Sequence, residues 1–484
     1  MRLLALPFSF LLACSAAAAG PPVASAPAGH SAGNVAGTAG SAASGFDVAA
    51  LRAEGPPALQ RLLADYDRTS SADRRRELAA TIDEVAGQRY ATVSRLFWYE
   101  DLEQAKAVAR RTGKPILSLR MLGRLDEDLS CANSRFFRTT LYPDAAVAAL
   151  LRDRFVLHWS SERDVPRVTV DFGDGRKLES TVTGNSAHYI LDAEGRPIDV
   201  LPGLYAPAVF ARELKSAVAL HTALKERHGY ERNEYLIAHH RAAIELTAKR
   251  FASLPDIEYV VGARRLMTAS AAVGAAASAQ RATVSKAYVE VPLLRTVSVG
   301  VDPGKVPEDS IELWAEIGQQ LLRVGSPPAG KRARVATQGA APDLDSVVFL
   351  EDAATMKKRF EEAAARDARA VPILDKNARA LVDALLAEPR DGEVLGAPQR
   401  GDVIARLEQT IVADTAMNET LLRQKIRTYL LEAFRRDEAD FARVNAFVYD
   451  HVFHTPSADA WMGLLPRDTF TGLPGGAVVG RTRS

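Results

Sequence analysis

The chain has 484 residues, of which 61 are Lys or Arg and 60 are Asp or Glu, so its formal net charge is +1. This balance argues against a nucleic-acid-binding protein with a dominant basic face and against an acidic solvating tail. Only two cysteines occur, Cys14 and Cys131. That excludes a disulfide framework, a cysteine-rich zinc site, a cysteine-ligated iron–sulfur cluster and a haem attached through two cysteines. The hydrophobic fraction of 47% is typical of a soluble globular protein.

The start of the chain, residues 1–19, predicts an export signal. Arg2 supplies a positive charge, and the apolar stretch Leu3–Ala13 is too short to span a bilayer as a helix. The Leu-Leu-Ala-Cys sequence ending at Cys14 resembles a bacterial lipobox, in which this cysteine carries the lipid. The small residues of Ser15–Gly20 favour ordinary signal-peptidase cleavage instead. We therefore expect an exported protein, either a membrane-anchored lipoprotein facing the periplasm or cell surface, or a soluble periplasmic or secreted protein.

Composition and periodicity divide the rest of the chain into four parts. Residues 20–45 are rich in Ala, Gly, Ser and Pro and predict a flexible tether. Residues 46–95 repeat apolar side chains at spacings of three and four, which predicts a helical lead-in. Residues 96–225 alternate helical and strand patterns. Residues 226–484 are mostly helical, including Ile411–Phe434, and their role is unknown. No later run of about 18 apolar residues predicts a transmembrane helix.

The alternating part predicts a mixed sheet. Its order is helix, strand, helix, strand, hairpin, hairpin and helix, with a Gly-Asp-Gly turn in the first hairpin. The predicted strands include Ile116–Leu119, Phe155–Trp159, Val168–Phe172, Ala187–Leu191 and Pro197–Leu201. A helical crossover joins parallel strands, and the closing hairpin is antiparallel. Together these features indicate an α/β domain with a mixed sheet, followed by a larger, mostly α-helical C-terminal region.

Cys131 is the residue with the clearest chemical interpretation. It follows a strand and a polar loop and opens a helix, within the sequence Ser-Cys-Ala-Asn-Ser-Arg. The positive end of the helix dipole and the unpaired N–H groups there favour a thiolate, which would make the thiol more nucleophilic. Arg135, one turn further on, could add positive charge.

At this point residues 97–220 resemble the thioredoxin-like superfamily. The resemblance rests on three phrases around Cys131: D-L-E-Q-A-K-A-V-A-R-R-T-G-K-P-I-L before it, Y-P-D-A-A-V-A-A-L-L-R-D-R-F-V after it, and Y-I-L-D-A-E-G-R-P-I-D-V-L-P-G-L-Y at the end. It implies a thioredoxin-like fold, with Cys131 at the position of the nucleophile.

The sequence departs from the redox-active pattern of that family in two places. Members that exchange disulfides carry C-x-x-C, whereas Ser134 occupies the second position here. The family also has a cis-proline opposite the thiol, and the resemblance places Asn185 and Ser186 there instead. Cys131 is then a lone thiol, limited to a mixed disulfide with a partner or small thiol, or to oxidation to sulfenic acid. The alternative is a small buried side chain in a redox-inactive domain.

Two functional classes follow. The first is an envelope interaction or scaffold protein without a full dithiol redox cycle, and the second is monothiol exchange or thiol-based redox sensing through Cys131. The sequence favours the first, because the resolving cysteine and the proline are both missing, and it leaves open whether the protein is an enzyme. Expected partners are an unknown envelope protein or a small thiol. We expect no nucleic acid, no cofactor, and membrane contact only through a lipid anchor.

Three weaker patterns lie in the C-terminal region. His451 and His454 form H-x-x-H, which is more typical of an ordinary helix end than of a metal site. The polar run Asp414–Glu419 predicts an exposed helix face, or else the lining of a groove or a partner site. The apolar tail Val452–Leu473 favours docking onto the preceding core, with a partner surface as the alternative.

Overall fold

The computed structural model describes residues 45–181, 185–252, 373–388 and 395–453, together with single positions 315 and 319. The described residues from Phe46 onward belong to one compact unit. Their α-helices are α1 Val48–Glu54, α2 Pro56–Arg68, α3 Ala72–Ala86, α4 Ala91–Ser94, α5 Leu102–Thr112, α6 Ala132–Phe136, α7 Ala145–Arg154, α8 Pro207–Leu224, α9 Gly229–Ala252, α10 Lys376–Ala387, α11 Ala397–Met417, α12 Arg423–Arg435 and α13 Phe441–Phe447. The strands are β1 Ile116–Leu122, β2 Val156–Arg163, β3 Arg167–Asp171, β4 Lys177–Thr181, β5 Ala187–Leu191 and β6 Pro197–Pro202.

Four strands form one mixed sheet in the order β2-β1-β5-β6. β1 runs parallel to β2, with Ile116 opposite Val156, and antiparallel to β5. β5 and β6 form an antiparallel hairpin. The connection from β1 to β2 passes through α6 and α7, as a parallel pair requires. The predicted mixed α/β region is thus confirmed, and its sheet is compatible with a thioredoxin-like fold.

The remaining two strands, β3 and β4, pair only with each other. They form the hairpin that the sequence predicts around the Gly-Asp-Gly turn, and Gly173 and Gly175 there adopt φ values of 74° and 92°. Glycine is favoured at both positions because a Cβ is strained at positive φ. This hairpin is inserted between β2 and β5.

Local sequence sets the ends of α5 and α7, the helices that precede β1 and β2. Asp101 caps α5 by accepting the backbone N–H of Gln104, and α5 ends at Gly113 in the left-handed conformation. Asp144 caps α7 by accepting the N–H groups of Ala146 and Val147. The Asp144 cap starts α7, which ends at Arg154 just before β2.

A single hydrophobic core joins the sheet to the described C-terminal helices. It runs from Leu96 to Phe453 and includes side chains from every sheet strand and from α8 to α13. The predicted helix Ile411–Phe434 lies inside a longer helical stretch, α11 and α12, joined by the π-helical turn Asn418–Leu422. The lead-in helices α2 and α3 add a smaller core of their own around Leu59 and Ile82.

Candidate functional site

Cys131 lies just beyond the C-terminal end of β1. Its backbone N–H donates to the carbonyl of Leu122 at 3.1 Å, and its own carbonyl accepts from the N–H of Arg135. Gly123, with a φ of 72°, turns the chain out of the strand. The residue is therefore placed at the N-cap of α6, as the sequence predicts, but its side chain is 0% exposed. In this structure the thiol has no contact with solvent.

The polar partner of the thiol is a serine that directly precedes β5, the strand beside β1. Cys131 Sγ lies 3.0 Å from Ser186 Oγ, and Ser186 is itself fully buried just before β5. The two residues that the resemblance places opposite each other are thus brought together. A hydroxyl facing a thiol makes a weak neutral hydrogen bond, which satisfies the buried hydroxyl.

Ser134, at the second position of C-x-x-S, bonds within the turn. Its Oγ lies 2.6 Å from Ser130 Oγ and 2.7 Å from the carbonyl oxygen of Cys131. These contacts stabilise the first turn of α6. They give the Ser134 hydroxyl a structural role within this turn.

Two buried arginines hold the loop that leads into Cys131. Arg135 Nη1 donates to the carbonyl of Ser130 and to Thr181 Oγ1, both at 2.8 Å. Arg138 Nη1 donates to the carbonyls of Leu125 and Glu127, and its Nη2 donates to that of Asp128. Burial lowers the pKa of Arg138 to about 10, since its partners are dipoles rather than full charges. Through its two hydrogen bonds, Arg135 joins this loop to the hairpin β3–β4.

Aromatic side chains enclose the region on two sides. Tyr142 Oη lies 2.8 Å from His188 Nε2, and the His188 ring packs 4.6 Å from the ring of Phe137. Burial lowers the pKa of His188 to about 3, so the imidazole is neutral at physiological pH. Tyr449 Oη donates to the carbonyl of Asn185 at 3.4 Å. Asn185 is therefore held through its backbone carbonyl, whereas Ser186 contacts Cys131 through its side chain.

Two of these aromatic residues follow or lie within π-helical turns. Tyr142 ends the turn Phe137–Leu141, and Tyr449 lies within Val448–Val452. Burial raises the pKa of both phenols well above the ordinary value. π-Helical turns widen a helix by one residue and recur at functional sites. Here they direct tyrosines toward the Cys131 region from two separate segments of the chain.

Cys131 is fully buried and belongs to the hydrophobic core. Sulfur can attack a partner disulfide only as an exposed thiolate. The described polar groups that contact Cys131 are the Ser186 hydroxyl at its sulfur and the Ser134 hydroxyl and backbone groups at its main chain, and the side chain is fully buried. Among the residues that the structure describes, no group of three or more His, Cys, Asp or Glu side chains could hold a metal ion.

A second buried cluster, which sequence reasoning missed, lies at β6, α8 and α12. Arg423, 1% exposed, contacts Asp199 at 2.5 Å, and Glu213 and Glu419 at 2.8 Å each. Burial acts to raise the pKa of Asp199, but Arg423 and Arg427 outweigh it and hold that pKa well below its usual range. The sequence separation of 224 residues between Asp199 and Arg423 leaves no local signal.

The polar run Asp414–Glu419 belongs to the same contact region, and its predicted exposure is wrong. The hydroxyl of Thr415 accepts the backbone N–H of Ala206 at 2.7 Å. Asn418 Nδ2 donates to the carbonyl of Leu204 at 2.7 Å. The run is buried against the β6–α8 connection because that connection presents unpaired backbone groups that need partners.

Several predictions fall partly or wholly outside the described residues. Cys14 and the tether lie there, and so do His454 and almost all of the apolar tail. His451 is described: its ring packs 5.4 Å from that of Phe447, and its carbonyl accepts from Lys425. An ordinary helix end fits these contacts.

Comparison with known proteins adds no relative. No protein family, no curated protein and no solved structure matches the chain. Within the part of the chain that the structure describes, no helix is both long enough and apolar enough to cross a bilayer.

Proposed function

We propose that the protein is an exported, thioredoxin-like interaction or scaffold protein of the cell envelope, in which Cys131 is a structural thiol. The sheet order β2-β1-β5-β6, with a helical crossover between β1 and β2, supports the thioredoxin-like assignment. So does the position of Cys131 at the N-cap of α6, the first helix after β1.

The observation that carries the non-catalytic role is the complete burial of Cys131, with its sulfur 3.0 Å from Ser186 Oγ. Buried cysteines in apolar surroundings behave as small, inert hydrophobic residues. The loop before the thiol is held by Arg135 and Arg138, so exposing the sulfur requires breaking several buried hydrogen bonds. Function must then reside on the surfaces that the fold displays.

The deciding experiment is thiol labelling of the folded protein in a Cys14→Ser background, in which Cys131 is the only thiol. We expect slow alkylation under native conditions and rapid, complete alkylation in denaturant. Rapid native alkylation near neutral pH would overturn the proposal. A partner captured by crosslinking in the envelope should survive Cys131→Ser, and its loss would also count against a structural thiol.

Monothiol chemistry is the second candidate, and the position of the thiol at the N-cap of α6 is the observation in its favour. In that reaction the Cys131 thiolate would attack a partner disulfide, forming a mixed disulfide and releasing the partner's second sulfur as a thiolate, which takes up a proton. The native labelling rate separates the two candidates, because the reaction needs an accessible sulfur.

Export and anchoring are a separate part of the proposal and rest on the sequence of residues 1–45. A lipid on Cys14, followed by an Ala- and Gly-rich tether, would hold a folded domain at a distance from the membrane. Cys14→Ser should move the protein from the membrane fraction to the soluble fraction. An unchanged distribution would refute lipid anchoring and leave the interpretation of Cys131 unaffected.

A further inference from the structure

A cleft of about 710 Å³ lies at the opposite end of the sheet from Cys131. It is bounded by α2, α5 and the start of β2, whereas Cys131 follows the other end of β1. Because β1 and β2 are parallel, the two places are separated by the length of a strand, roughly 20 Å. The cleft has the volume of a site for a small organic molecule.

The floor of the cleft is apolar. Its buried side chains come from three separate elements: Leu59 and Leu63 from α2, Phe97 from the segment beside β2, and Phe155 and Leu157 around the start of β2. Two half-buried residues, Tyr99 and Val108, extend this surface toward solvent. Such a floor favours an apolar ligand body through the hydrophobic effect.

The rim carries an excess of positive charge. Three cations and two carboxylates line the cleft, and both carboxylates are paired: Asp67 with Arg95 at 2.7 Å, and Asp153 with Arg152 at 3.1 Å. Among the residues that the structure describes, Lys114 has no carboxylate partner, and its Nζ donates to the carbonyl of Arg152 at 3.4 Å.

The phenol of Tyr99 also lines the cleft. The Tyr99 ring packs edge-on against Phe97 at 5.0 Å. An apolar floor that ends at Lys114 and a phenol is complementary to a molecule with an apolar body and one anionic group.

We propose that this cleft binds a small amphiphilic anion, with the apolar body on the floor formed by Leu59, Leu63 and Phe97 and the anionic group at Lys114. The binding is independent of Cys131, because the two places lie at opposite ends of the sheet. The anion can come from an acyl carboxylate or from an aromatic acid, which share this chemistry.

The test is a fluorescence titration of the full chain with two probes of one aromatic framework. Anilinonaphthalene sulfonate carries a negative charge, and phenylnaphthylamine carries none. We expect saturable binding of both probes, tighter for the sulfonate. Lys114→Gln should weaken sulfonate binding about fivefold at low salt and leave the neutral probe within about twofold. Lys215→Gln, which removes an exposed lysine of α8, is the matched charge control and should change neither titration.

Variants at the mouth of the cleft show whether the probe binds there. Gln60 and Thr112 line the cleft from α2 and α5 and are exposed, so a tryptophan at either position should fold and obstruct entry. Gln60→Trp and Thr112→Trp should weaken both probes at least fivefold, whereas Ser216→Trp on the exposed face of α8 should not. Circular dichroism and the melting temperature of each variant show whether it is folded.

Displacement of the bound sulfonate by dodecanoate or by naphthoate distinguishes the acyl source from the aromatic source. Failure of either probe to saturate would overturn the proposal, and so would equal binding of the two probes with no effect of Lys114→Gln. Tryptophan variants that change the oligomeric state but not probe binding would assign the cleft to a second copy of the chain instead. Cys131→Ser should leave every titration unchanged, so this result is separate from the test of the structural thiol.

Discussion

Arg138 and Arg423 are both 1% exposed, yet they are buried in different kinds of environment. Arg138 donates to three backbone carbonyls in the loop before Cys131, and burial lowers its pKa to about 10. Arg423 contacts three carboxylates. Burial acts to lower its pKa too, but the carboxylates outweigh that effect and raise the pKa well above its ordinary value.

The two regions differ in what their arginines connect. The hydrogen bonds of Arg138 span at most 13 positions along the chain, so they shape one local loop. Arg423 contacts Asp199 and Glu213 across more than 200 positions, so it joins a C-terminal helix to the sheet and to α8. Carbonyl dipoles replace part of the hydration that a buried guanidinium loses, whereas carboxylates also neutralise its charge. The Arg423 cluster should therefore be the more sensitive of the two to removal of one member.

Arg423→Leu should have the largest effect on stability. It leaves Asp199, Glu213 and Glu419 buried without their common partner, and breaking a buried pair costs about 3–5 kcal/mol of unfolding free energy. Urea unfolding followed by circular dichroism measures this change. Arg406→Leu, an exposed position on α11, is the matched control and should change the unfolding free energy by less than about 0.5 kcal/mol. Equal unfolding curves for the two variants would show that the cluster does not hold the helix to the sheet.

Arg138→Leu should come next, with a loss of about 2–3 kcal/mol, because the carbonyls that it satisfies lie in a partly buried loop. Unlike the Arg423 variant, it should also raise the native labelling rate of Cys131, since the loop 124–130 leads directly into that residue. Arg154→Leu, on the exposed end of α7, serves as the control. A labelling rate that stays at the wild-type value would show that Arg138 does not keep the thiol closed.

Two buried histidines, one in each region, make the stability of both regions depend on pH. Burial lowers the pKa of His188 to about 3, and it lowers that of His240 to about 4, where the nearby charge of Asp199 opposes the effect. The unfolded value is about 6.5. A group whose folded pKa is depressed contributes stability that is complete above its unfolded pKa. That stability is lost as the pH falls through 6.5 toward the folded value.

Unfolding free energy should therefore drop between pH 7.5 and pH 5, by about 2 kcal/mol for each of these histidines. His188→Gln and His240→Gln should each make the dependence shallower, although each also loses stability at pH 7.5. The relevant quantity is thus the difference between the two pH values, measured by urea unfolding. A slope identical to the wild type in both variants would mean that these histidines do not titrate on unfolding.

Local sequence was sufficient to predict most strands and helix ends of the sheet region. Alternating and continuous apolar runs placed β1, β2, β5 and β6, and the Gly-Asp-Gly turn placed the hairpin β3–β4. The helix caps Asp101 and Gly113 lie at the ends of α5, where short-range hydrogen bonds decide the boundary. These features depend on neighbours along the chain, which a sequence pattern records.

The burial of the polar residues could not be predicted in the same way. The pattern of Asp414–Glu419 predicts an exposed helix face, because polar side chains usually lie in water. The structure buries it because the β6–α8 connection offers the backbone partners Leu204 and Ala206 from more than 200 positions away. The burial of Cys131 also depends on residues distant in sequence. Ser186 lies 55 positions from the thiol, and Tyr449 bonds to Asn185 across 264 positions. Patterns along the chain place a residue on an element but do not show what covers it.

Cys131→Ser should have the smallest effect, a change in unfolding free energy below about 1 kcal/mol. A serine hydroxyl occupies slightly less volume than the thiol and can keep the hydrogen bond to Ser186 Oγ that now spans 3.0 Å. Cys131→Ala removes that bond and leaves the fully buried Ser186 hydroxyl without this partner, so it should cost about 1 kcal/mol more than the serine variant. If alanine were tolerated better than serine, packing rather than the Ser186 contact would govern the position. The thiol would then act purely as an apolar side chain beneath a loop that Arg138 holds closed.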